Sequence, residues 1–507
     1  MGCDLDATRF CAELDSAVDI WTWNNRDLLE LDETTVQDII DTDDRTTLGN
    51  VDLKATFLFR PDEQLTLQAS VIAGAPFALS ANSRVAGDPI HLSAASIHYA
   101  PLDSDAVGLD FAFGRHAWGI GVAPSGRDFI QGGAVDGVSA RLNLRKGGTI
   151  DWLAFEIFGA NDQTETGYYY TKPGNDLVNR FDGETNTYRM GFVYRNESLV
   201  DNLGLAAYFM YATIGASGIT NTGADVALGG ATGNFRDRDY LRNYGLRARY
   251  DASYESGLHT DVYFEFGLSE GVDRKAPEYV DVDLGGTMFG GGVGVGYDFG
   301  AGSIGVGGDY YSFDGASYSA TGGLEFDRGF TSMRGDRVGG IAMGRLASWR
   351  PSAVLDRGGI DHSPHDWDRQ AGLSFARAGL DFAYADFSLA LDFYLYTDTA
   401  ESSFNFATLA ETTPPLGFSR EEIDAQRRAG LALGNELSVE VRQELTEWAG
   451  LSLGLGLFNP GEYYDIEVAR VASFNDDRPA LGGDRTAQFW AFYGAVDFFG
   501  GIRTLAN

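Results

Sequence analysis

The chain has 507 residues, with 38 basic against 73 acidic side chains, a formal net charge of −35, 66 glycines and 13% aromatic residues. A field of that sign disfavours a nucleic-acid partner, and no run of about 18 uncharged apolar residues offers a transmembrane helix. Several soluble domains or one large barrel would fit the length. The abundance of Gly, Tyr and Phe favours the barrel, because an outer-membrane strand needs only about ten residues, half of them polar.

The first residues, Met1-Gly2-Cys3-Asp4, lead straight into an acidic stretch without a signal peptide. A barrel needs one to reach an outer membrane, so the sequence reads as a mature or re-engineered form. Residues 1–16 are expected to be a periplasmic N-terminal segment, possible as a short helix. Cys3 and Cys11 are the only cysteines. They can close a small disulfide loop in an oxidising periplasm or stay as two thiols. Gly2-Cys3 also resembles the end of a lipoprotein cleavage site. A first strand is expected over residues 17–25, followed by an acidic loop with Asp41, Asp43 and Asp44 that lacks the ligand spacing of a calcium loop.

Paired strands with short turns follow: 47–60 with 64–74, 89–100 with 106–117, 133–145 with 149–159, 185–196 with 204–214, and 240–251 with 259–269. The hairpin over 286–314 is the most telling. Val293, Val295, Tyr297 and Phe299 share one face of its first strand, and Gly290, Gly292, Gly294 and Gly296 share the other. Apolar side chains toward lipid, aromatics near the interface and small residues toward a lumen make a membrane-spanning hairpin. Further pairs are 374–385 with 387–397 and 432–446 with 448–459. A last strand over 486–500 closes the ring against the first.

Eight tight hairpins and one strand at each end give about 18 strands, all-β and antiparallel. Even parity puts both termini and every tight turn at one end, which suits short periplasmic turns and long extracellular loops. The transmembrane barrel is then 17–500, with 501–507 as a C-terminal tail.

Residues 315–373 are too many for an ordinary connection. This loop carries Arg334, Arg337 and Arg345 around the apolar stretch 338–346, and it follows the glycine-lined hairpin directly. It is expected to fold into the lumen, pack over those glycines and narrow the pore. In the alternative, 338–346 belongs to an extra hairpin and the barrel has 20 strands.

Alternation sorts the lumen charges. Arg141, Arg145, Arg189, Arg195, Arg247 and Arg249 point inward, with Lys54 and Arg60 extending the same sign. Asp261 and Glu265 also point inward. On the other side of the ring stand Asp381, Asp392, Glu436, Glu440 and Glu444, with Arg377 and Arg442 among them. An arginine arc facing a carboxylate arc gives a transverse field that orients polar solutes. Equally, each charge can pair with its neighbour and only solvate the lumen. The overall acidity has two readings as well: solvated loops bridged to lipid headgroups, or a cation-attracting vestibule.

The stretch Leu109–Leu144 resembles the strand, loop and strand of bacterial porins, with Gly114-Arg115 ending one strand and Asp136-Gly137-Val138 opening the next. The strand number and length are similar to the alginate-export type of outer-membrane channel. That resemblance implies a channel in the bacterial outer membrane and, for an exporter, a basic lumen, whereas this chain is acidic.

Two motifs are set aside. The glycine repeats lie inside strands with no following helix, so they make no dinucleotide site. The cluster Asp361, His362, His365, Asp366 and Asp368 suits Zn²⁺ or Ni²⁺ in type, yet polar loops gather such residues by chance. No serine is singled out by spacing to a histidine and a carboxylate, so no enzyme, cofactor or metal is expected. The function expected is passive diffusion of small polar or charged solutes, with outer-membrane lipid and lipopolysaccharide as surroundings. A homotrimer or a periplasmic partner stays open. The alternatives are a polysaccharide export conduit and a structural, partner-binding barrel.

Overall fold

The computed structural model describes residues 10–24, 46–78, 90–120, 128–130, 134–146, 150–161, 187–214, 240–275, 280–315, 326–327, 329–330, 339–343, 372–399, 432–446, 448–461 and 489–502. They form nineteen strands: β1 Phe10–Asn24, β2 Thr46–Asp62, β3 Leu65–Ala78, β4 Ile90–Asp103, β5 Val107–Ala117, β6 Ala134–Lys146, β7 Ile150–Asn161, β8 Thr187–Val200, β9 Leu203–Ile214, β10 Tyr240–Ser253, β11 Leu258–Lys275, β12 Val280–Phe299, β13 Gly302–Phe313, β14 Phe326–Asp327, β15 Leu373–Tyr384, β16 Phe387–Asp398, β17 Ala432–Thr446, β18 Ala449–Pro460 and β19 Phe489–Ile502.

All pairings but one are antiparallel, most of them between neighbours in the chain. β13 skips to β15, because the two-residue β14 runs parallel to the upper part of β12. β1 pairs with β2 on one side and with β19 on the other, from Ala12 opposite Ile502 to Asn24 opposite Trp490. Every long strand therefore has two neighbours, and the ring of 18 closes without an edge. No helix among the described residues is long and apolar enough to cross a membrane.

The pleat sets the faces. Val51, Leu53, Phe57 and Phe59 of β2, Val293 and Val295 of β12, and Phe393 and Leu395 of β16 are all exposed on the outer surface. Their alternating neighbours face inside, and Thr56, Tyr394 and Tyr396 among them are buried. Two-residue turns such as Asp201-Asn202 and Ala385-Asp386 join strands at one end, with Asn202 at φ 68° and Ala385 at φ 50°.

Among the differences from the expectation are one strand start and one register slip. β1 starts at Phe10, so residues 10–16 of the segment read as ending at residue 16 are strand, and residues 1–9 lie outside the described residues. The alternation simply continues upstream: Leu14 lies outside, while Glu13 and Asp15 fall on the inner face, where their acidity made them look like solvated chain. Cys11 shares that inner face, buried to 2% exposure, and is disulfide-bonded. The second difference is in β17, where the register slips between Tyr396 and Thr397 of its partner β16. Gly434 takes φ +135° there, and Leu433 becomes fully buried. A bulge adds one residue and re-aims the side chain beside it.

Two of the inner-face glycines of β12 are covered by neighbouring tyrosines. Tyr311 of β13 fills the space over Gly290, and Tyr263 of β11 fills that over Gly292. The described part of the 315–373 loop sits elsewhere: Ile341 and Ala342 lie over Gly456 of β18, and Phe330 stands beside Gly267 and Phe313.

Candidate functional site: the lumen and two inward segments

Two stretches of irregular chain leave the strand ends and lie against the inner wall. The first follows β5. Trp118, Ile120, Phe129 and Ile130 are buried, an unusual composition for a solvated loop. Asp128 organises this segment, since its carboxylate accepts the N–H of Ile120 at 3.3 Å and that of Ile130 at 3.0 Å. It also receives both terminal nitrogens of Arg247, Nη2 at 2.7 Å and Nη1 at 3.1 Å. Arg247 Nε donates in turn to Glu265 Oε1 at 2.6 Å. Arg195 of β8 makes a second attachment, donating to the carbonyls of Ile120 and Gly119. Phe129 then packs edge-on against Tyr311, ring centroids 4.8 Å apart, and against Phe313 at 5.6 Å.

The second segment is 339–343. Four successive backbone N–H groups face one strip of wall. Gly340 donates to Tyr396 Oη at 2.9 Å, Ile341 to Ser438 Oγ at 3.1 Å, Ala342 to Glu436 Oε1 at 2.7 Å and Met343 to Glu436 Oε2 at 3.0 Å. The Tyr396 and Ser438 hydroxyls also donate to that carboxylate, at 3.0 and 2.6 Å. A buried carboxylate surrounded by donors is satisfied without a cation. Between this segment and the wall lies a cavity of about 180 Å³, lined by Gly339, Gly340, Ile341, Ala390, Asp392, Tyr394, Ser438 and Glu440.

The other inward charges mostly meet partners on adjacent strands. Arg377 donates to Asp392 at 2.8 Å and to Asp309 at 3.2 Å. Arg249 donates to Asp261 at 2.9 Å and to Asp251 at 3.2 Å. Asp381 and Glu440 are exposed on the inner wall, as are Arg442 and Glu444, and Arg141 is half-buried. At the short-turn rim His259 links Ser253 Oγ, 2.8 Å from Nδ1, to Asp298, tying β10, β11 and β12 where they turn.

Several residues expected to line water therefore do something else. Arg195, Arg247, Glu265 and Glu436 do point inward, but they are at most 9% exposed because the two segments lie over them. The charges along the inner face also pair locally, Arg247 with Glu265 and Arg377 with Asp392, which works against an uninterrupted arc of one sign. The side chains of Arg145 and Arg189 lie outside the described residues, as do Arg334, Arg337, Arg345 and the 361–368 cluster. Among the described residues no group of His, Cys, Asp and Glu is spaced to hold a metal ion.

Asp128 and Ser438 are absent from the alternation argument. For Asp128 a signal exists: Asp128-Phe129-Ile130 puts a charge before two large apolar residues within a connection, which demands a buried seat.

Solved structures with a similar outline include proteins of Pseudomonas aeruginosa, among them the outer membrane protein OprD. OccK5 (OpdH) is 9% identical, with 97% of this chain and 98% of that chain aligned at a TM-score of 0.46. OprD is 9% identical over 98% of this chain and 95% of its own at 0.48, and OccD3 (OpdP) is 11% identical over 96% and 91% at 0.46. No protein-family model and no curated protein matches the sequence. The barrel assignment rests on the closed ring of pairings.

Proposed function

We propose that the chain is a passive, water-filled channel of the bacterial outer membrane for small polar or charged solutes. The observation that carries this reading is the closed ring, apolar outside and charged inside, with two segments folded onto its inner wall. An apolar outer surface of this extent needs lipid, and an edgeless barrel satisfies its backbone there. Lipid and lipopolysaccharide are then the surroundings of the outer surface.

Selectivity is assigned to side chains that water reaches: Asp392 and Glu440, which line the 180 Å³ cavity, and Asp381, with Arg141, Arg249 and Arg377. Glu440 is exposed, and Asp392 shares Arg377 with Asp309, so this side of the lumen is acidic. Cations are therefore the favoured solutes. The polysaccharide-export alternative, drawn from the likeness to alginate-export channels, suits this barrel less well. Segments fastened inside narrow it toward small solutes. The test is planar-bilayer recording of the purified chain. Discrete conducting steps with a zero-current potential of cationic sign in a salt gradient are expected, and a closed barrel that passes no current would overturn the channel reading.

A further inference from the structure

We propose that Asp128 is the positioning residue that sets the bore of the lumen, acting through the placement of residues 118–120 and 128–130 and not as a charge that solutes meet. The inference rests on the channel reading.

The Asp128 carboxylate has two tasks. It folds its own segment by accepting the N–H groups of Ile120 and Ile130, and it fastens that segment by receiving Arg247 in a two-nitrogen grip. Planar pairing of that kind fixes direction as well as distance. The Arg247 side chain has 0% exposure and that of Asp128 12%, so the pair is largely shielded from solutes. Arg247 keeps Glu265 as a second carboxylate on the adjacent strand. Removing the charge of Asp128 therefore leaves no unpaired arginine in the wall, and the segment loses its fastening while the barrel keeps its own. The Arg195 contacts to Gly119 and Ile120 and the seat of Phe129 among Tyr311, Phe313 and Phe375 also locate the segment, but these contacts, to carbonyls and rings, are not ion pairs.

A bore-setting residue and a selectivity residue leave different signatures. Loosening the segment raises conductance and leaves the zero-current potential alone, whereas a lumen charge moves the potential. The experiment compares the full chain with Asp128→Asn and Asp128→Ala in planar bilayers. A parallel set carries Phe129→Cys, since Phe129 is 1% exposed, and is labelled with a maleimide in detergent. Heat-modifiable gel migration confirms that each barrel is folded. Labelling of Phe129→Cys is expected to speed up roughly tenfold when Asp128 is replaced, the factor for losing about 1.4 kcal/mol of charged contact. Conductance is expected to rise by roughly half or more, with the zero-current potential unchanged. Equal labelling rates with and without Asp128, or a shifted potential at unchanged labelling, would overturn the proposal. If labelling accelerates while no version of the protein conducts, the anchor stands and the channel reading falls.

Discussion

The ring of Tyr311 on β13 occupies the space that a side chain at Gly290 on β12 would need. A methyl group there would run into the ring itself, whose movement is blocked by Phe129, Phe313 and Phe375 around it. Two positions further along the same face, the nearest atom to a methyl at Gly294 is Asp261 Cβ at 3.9 Å. Gly290→Ala should therefore destabilise the barrel by about 1–3 kcal/mol, the usual cost of overpacking, while Gly294→Ala stays within about 0.5 kcal/mol. Urea titration in detergent micelles checks both. The double variant Gly290→Ala/Tyr311→Ala should regain much of the transition midpoint relative to what the two single changes would sum to.

That contrast marks the limit of what the sequence could say. Alternation in β11, β12 and β16 exposes the barrel directly, because a period of two assigns every side chain to lipid or lumen. The bareness of β12 was equally visible, but not what covers it, since the cover comes from tyrosines whose register on neighbouring strands only pairing reveals. The inward segments are harder still. Asp128 and Arg247 are 119 positions apart, and no periodicity links a loop carboxylate to a strand arginine. Arg247 on the inner face was legible, and its burial was not. The bulge at Gly434 escaped for a similar reason: it breaks the period over a single residue.

Glu436 is the hub of the second segment, and its loss should free residues 339–343. Glu436→Ala leaves the Ala342 and Met343 N–H groups and the Tyr396 and Ser438 hydroxyls without their acceptor. Orphaned buried donors cost about 1–3 kcal/mol each, more than a short segment can absorb. A cysteine at Met343, now 6% exposed, should then react with maleimide far faster than in the parent. Unchanged reactivity would mean that other contacts hold the segment. Glu436→Gln, which keeps one acceptor oxygen, should lie between the two.

At Gly434 the backbone itself sets the requirement. A side chain at φ +135° is strained, and its first carbon would meet the carbonyl of Asn459. Gly434→Ala should cost about 1–3 kcal/mol and disturb the inward setting of Leu433. Lower midpoints in thermal melts followed by tryptophan emission would register the loss; an unchanged melt would show that the bulge can relax without it.

Ion selectivity offers the most direct reading of the lumen charges. Glu440 is exposed on the inner wall and lines the cavity beside Asp392, and Asp381 is exposed on β15 nearby. Arg377 is already shared between Asp392 and Asp309, which leaves the exposed carboxylates of Asp381 and Glu440 for a passing cation to meet. Asp381→Asn and Glu440→Gln should each lower the permeability ratio of K⁺ over Cl⁻ by about twofold, and Glu440→Lys by more. Arg141→Glu works in the opposite sense and should raise the ratio. The effect should weaken as salt rises toward 1 M, where the screening length falls to about 3 Å. Zero-current potentials in a tenfold KCl gradient measure all four variants. If none of them moves the potential, the conducting path does not run past these residues and the acidic wall only solvates the barrel.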